Sequence, residues 1–158
     1  MLKDKIFKIV EKHLKLYPYI DEEIEKLKKD IEFNTTARSD VNSYLKSKGK
    51  TSKTVENQAV HNASIKEKIA KYEKWKSVIE EIITIYKEKD EESYKYIKFK
   101  FFRQYSKAKI EMELFLSRTT QDRLRNEIVS YIAIFAAAEG LIKLSKKQGR
   151  YNRGGVAC

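Results

Sequence analysis

An all-α fold is what this sequence predicts: an N-terminal helical hairpin and a long middle helix, followed by a C-terminal helix-turn-helix unit. Two observations carry the prediction. The 158 residues include one proline and five glycines, too few turn formers for a sandwich of many short strands, and 36% are charged. Apolar residues also recur at helical spacing along most of the chain. The length fits one ordinary domain or two small helical ones.

The first helix is predicted over residues 3–17, where Ile6, Val10, Leu14 and Tyr17 fall on one stripe. Pro18 ends it, because proline lacks an amide hydrogen and disfavours helix at the residue before it. A second helix carries Ile20, Ile24, Leu27 and Ile31 on one face. Its acids, Asp21, Glu22 and Glu23, precede its bases, Lys26, Lys28 and Lys29, the order that suits a helix dipole. Residues 33–53, rich in Asn, Thr, Ser and Lys, read as a long mobile connection with a short helical turn at 41–45.

A third helix is expected from about 52–56 to Lys87. Ile65, Ile69, Tyr72, Lys76, Ile79, Ile83 and Tyr86 mark one face, and Trp75, Val78 and Ile82 widen it. Such a length implies packing against the N-terminal hairpin or a partner chain. The alternation of aromatics and lysines from Tyr94 to Phe101 has the period of a strand. A lone strand would have no partner, and Asp90, Glu91 and Glu92 form an acidic helix start, so a helix carrying Tyr94, Ile97, Phe101 and Tyr105 is expected.

A short helix, a tight turn and a further helix follow, each helix opening on a serine. Ile110, Leu114, Leu116, Thr120 and Leu124 occupy the small core of a helix-turn-helix, and Ser106 and Ser117 stand at the helix starts. The last helix is expected from Ser117 to as far as Ile142. Its second half, 128–138, is apolar nearly all round and must be covered by the N-terminal helices or a second subunit.

The formal charge of +11 points to a polyanionic partner. It is unevenly spread: +3 over residues 1–50, +2 over 51–89 and +6 over 90–158, with five bases and no acid from Leu141 onward. The largest excess therefore sits on the C-terminal segment, residues 90–158, which also holds the helix-turn-helix. Arg118, Thr119, Gln121, Asp122 and Arg125, at the start of the second helix, supply the paired donors and acceptors that read base edges in a major groove. Arg103, Ser106, Lys107, Lys109 and Arg123 supply charge and helix-start amides for phosphates. Residues 1–88 thus read as a helical packing and oligomerisation region, 89–145 as a DNA-binding domain and 146–158 as a flexible basic tail.

Other chemistry finds little footing. There is no Gly-rich phosphate loop and no Ser/His/Asp or Cys/His set, so no catalytic residues, metal or cofactor are expected. The single cysteine, Cys158, excludes an intrachain disulfide, and His13 and His61 read as solvated residues. The N-terminus lacks the apolar core of a secretory signal, and the longest apolar run is too short to span a bilayer. A soluble, intracellular protein without membrane contact is expected.

The order of these features resembles phage late-transcription activators of the RinA and ArpU type. The likeness rests on Tyr17-Pro18 before an acidic-then-basic helix, a polar loop closing on Ser52-Lys53-Thr54, a helix through Ile79-Glu80-Glu81-Ile82-Ile83, an aromatic helix ending Phe101-Phe102, and Ser117-Arg118-Thr119-Thr120 opening the recognition helix. Residues 90–130 look like the region of bacterial sigma factors that reads the upstream promoter element, with Ser106, Ala108, Ile110, Leu114 and Ser117 at matching positions. Glu111 stands where that pattern has a small residue and Phe115 where its turn commonly has glycine. A left-handed Phe115 would cost about 1 kcal/mol. The resemblance implies a phage-encoded, sequence-specific DNA-binding activator of a late operon, with double-stranded DNA and bacterial RNA polymerase as partners. A homodimer is the expected assembly. A competing reading is a small terminase-like subunit that recognises DNA for genome packaging.

Overall fold

The computed structural model describes the backbone over residues 2–41 and 51–144, and side chains over 3–35 and 55–144. Among these residues the fold is all-α. Helix α1 (Leu2–Leu16) meets α2 (Ile20–Val41) through a 3-10 turn, Tyr17–Tyr19, in which Pro18 sits at a position where no amide hydrogen is needed. Helix α3 (Thr51–Lys89) spans 39 residues, roughly 58 Å at 1.5 Å per residue. It packs against α2, α4 (Glu91–Ile97) and α6 (Arg118–Ala138), while α1 lies between α6 and the segment after α4.

The break between α3 and α4 is made by Asp90. Its carboxylate accepts from Ser93 N at 3.1 Å and Ser93 Oγ at 2.6 Å, capping α4. Those bonds hold the Asp90 carboxyl below its usual range. After Ile97 the helix widens into a π turn, Lys98–Phe102, where Arg103 N reaches back to Lys98 O.

One hydrophobic cluster runs from Ile6 to Ile142 and takes in Leu14, Ile20, Trp75, Ile79, Ile82, Tyr96, Phe101, Ile110, Ile128 and Ile132. It is continuous across residues 88 and 89. The apolar half of α6 is covered by α1 and α3 of the same chain, leaving Ile134 outside at 59% exposure. Lys76, the polar member of the α3 stripe, answers Asp21 of α2 at 2.8 Å.

Three expectations are corrected. The connection expected over 33–53 is helical at both ends: α2 continues to Val41 and α3 begins at Thr51, while residues 42–50 and the tail from 145 lie outside the described residues. Pairing with α3 favours the extension of α2, since Gln58 Nε2 donates to Asn34 O. Helix α6 stops at Ala138, short of Ile142. Gly140 takes a left-handed φ of +73° there, and Leu141 N and Gly140 N bond to Ala136 O and Ala137 O, closing the helix end. His13 is not solvated: its ring stacks on Trp75 at 4.1 Å, and burial pushes its pKa down to about 4, helped by Lys12 and Lys71.

Candidate nucleic-acid interface

The helix-turn-helix forms where the residue pattern places it. Ser106 Oγ accepts from Lys109 N at 3.2 Å and opens α5 (Lys107–Leu114). Ser117 Oγ accepts from Thr120 N at 3.3 Å and opens α6. Between them Phe115 adopts φ 55° and ψ 32°, the left-handed conformation usually given to glycine, and the residue is 91% exposed. Ile110, Leu116 and Leu124 are buried beneath the turn, with Leu114 and Thr120 partly so.

Gln121 is a core residue and not a base reader. It is fully buried, and its Nε2 donates to the carbonyls of Lys107 and Leu116, both at 3.0 Å. Its amide thereby ties the start of α5 and the end of the turn to α6. Arg125 is also withdrawn from readout: it pairs through Nε with Glu11 of α1, which holds its guanidinium above its ordinary pKa. Asp122 is taken by Lys107 at 2.6 Å, and this bond holds the carboxyl below its usual range. Lys107 is accordingly a paired cation.

The remaining residues stay available. Arg118 is exposed at the first position of α6, its Nε 3.5 Å from Glu111 Oε2, a loose surface pair of little energetic weight. Glu111, which departs from the small residue of the sigma-factor pattern, thus faces the helix start. Thr119 and Arg123 are exposed, and their side chains make no hydrogen bond or ion pair among the described residues. Asn126, which the sequence reading did not single out, extends the same line in the same state. Residues 119, 123 and 126 follow i, i+4, i+7 spacing, and that periodicity is the signal that would have found it. Arginine suits guanine and asparagine suits adenine in a major groove.

Aromatic rings hold two of the expected phosphate cations. Arg103 lies over Phe99 at 5.2 Å and Tyr105 at 6.0 Å, and Lys109 Nζ lies 3.7 Å from the Tyr105 ring. Neither has a carboxylate partner among the described residues, so each presents uncompensated charge beside the start of α5. Lys100, on the π turn, adds to this side. Its ammonium pKa is depressed first by burial and then by Lys107 and Lys15, with Glu11 opposing the shift.

Among the described residues no group of His, Cys, Asp and Glu has the arrangement of a metal site, and no helix is long and apolar enough to cross a membrane. No protein-family model, curated protein or solved structure matches this chain.

Proposed function

We propose that this chain is a phage-encoded, sequence-specific DNA-binding activator of a late operon, acting on double-stranded DNA in the host cytoplasm together with bacterial RNA polymerase. The observation that carries the reading is the outward line of α6. Arg118, Thr119, Arg123 and Asn126 lie on its first half, exposed and without strong partners, directly after a short capped helix and a tight turn. A helix whose opposite face is locked into a core, and whose outward polar groups serve nothing inside the chain, is suited to a groove. Arg103 and Lys109 supply the backbone clamp. Asp122 and Arg125 spend their charge inside the chain, so discrimination rests on the remaining four residues.

Chromatin pull-down of the tagged full chain from induced phage-carrying cells tests the reading. Enrichment at one promoter, matched by a footprint there in vitro, is the expected result. Enrichment at a packaging site would replace the activator by a packaging subunit, and absence of any specific footprint would overturn DNA recognition altogether.

A further inference from the structure

The second half of α6 presents a surface that the DNA reading does not use. Ile134 stands out as a ridge, and an open apolar groove lies on each side of it. One groove, of about 460 Å³, is bounded by Ile85 and Tyr86 of α3 and by Tyr131. The other, of about 290 Å³, is bounded by Ile6 and Phe7 of α1, Ala133 and Leu144. Ser130 and Ile134 line both grooves, so the two form one continuous apolar face.

We propose that a second copy of this chain covers this face, α6 packing against α6 about a two-fold axis. Two features favour a second copy over other occupants. The face carries a ridge and flanking grooves together, so it can receive its own shape, which an isologous contact requires. Its rim is also charge-balanced: Lys3 and Lys89 stand with Asp90 and Glu127, although the whole chain carries +11. Two copies can therefore approach here without the repulsion they meet elsewhere on so basic a protein. The segment 145–158 is a poor occupant by composition, with Lys146, Lys147, Arg150 and Arg153 against few large apolar residues.

Sedimentation equilibrium of the full chain at tens of micromolar tests this. Wild type should have twice the 18.7 kDa chain mass, and Ile134→Lys should weaken association at least tenfold, with an unchanged circular dichroism spectrum because the side chain is already outside the core. Ser130→Lys, on the same face, should act likewise. A monomeric wild type, a dimer that survives both substitutions, or a larger ring would each overturn the proposal. So would a monomer that dimerises only after removal of 145–158, since the tail would then be the occupant. None of these outcomes bears on whether α6 reads DNA.

Discussion

Glu11 and Arg125, 114 residues apart in sequence, form an ion pair that binds the first helix to the last. Glu11 is mostly buried, and Arg125 leaves it with a charge-assisted bond rather than a solvated surface contact. Replacing Glu11 by Ala should cost about 1.5–3 kcal/mol, the range for hydrogen bonds to charged groups. Urea unfolding reads the loss. Arg125→Ala should destabilise comparably while leaving the ratio of specific to random DNA affinity unchanged; a collapse of that ratio in a folded variant would return Arg125 to the reading face.

Gln121 should behave as a core residue. Gln121→Ala leaves the carbonyls of Lys107 and Leu116 without their buried donor and opens a cavity. The expected cost is roughly 2–4 kcal/mol. Thermal melts give the number, and weaker DNA binding by this variant should disappear once corrected for the unfolded fraction.

Phe115 offers a stabilising change. Its backbone is left-handed and its ring is almost wholly in solvent, so Phe115→Gly relieves strain and gives up no packing. A gain of about 0.5–1 kcal/mol is expected. Phe115→Ala retains a Cβ and should gain nothing, which separates the backbone effect from the loss of the ring.

His13 should make stability depend on pH. Its pKa is near 4 in the folded chain against an ordinary 6.5, so the unfolded chain takes up the proton first. The neutral ring's contribution is complete above pH 6.5 and fades as pH falls toward 4. His13→Phe keeps an aromatic ring on Trp75 and removes the titration. The variant should therefore gain on wild type as pH drops through that window, measured as the difference between paired urea curves. A constant difference would mean that the imidazole is not protected from protonation.

Arg118→Ala, Arg123→Ala and Asn126→Ala should each cost on the order of 1–3 kcal/mol on the specific site and little on random DNA. Arg103→Ala and Lys109→Ala should weaken both alike and reduce the salt dependence by about one unit of slope each. Fluorescence anisotropy over a salt series separates the two groups. Equal losses on both DNAs for the α6 variants would remove this helix from the groove.

Local rules made much of this fold legible. The stripes through Val10, Leu14, Ile24, Ile69 and Ile79, the serine caps and the acidic start of α4 are all set within a turn or two of sequence, and all stand as expected. Two of the misreadings have long-range causes. Asn34 and Thr35 are weak helix formers, and α2 continues through them beside α3, where Gln58 meets the Asn34 carbonyl. Arg125 reads as a free base until Glu11, at the far end of the chain, is set against it. The third has a local one: Gln121 reads as outward on its polarity, yet it shares the buried side of α6 with Leu124 and Ile128 at i+3 and i+7. The core also runs through residue 88, where the sequence reads as passing from a packing region to a DNA-binding domain.

The outward line of α6 also bears on how such a protein can diverge. The side chains of Thr119, Arg123 and Asn126 bond to nothing among the described residues, while the neighbouring turns of the helix are anchored by Leu124, Ile128 and the Gln121 amide. Substitutions on that line therefore change what the helix meets without disturbing what holds it in place. Under the proposed function, a few replacements on that line would exchange one target for another while leaving the fold intact.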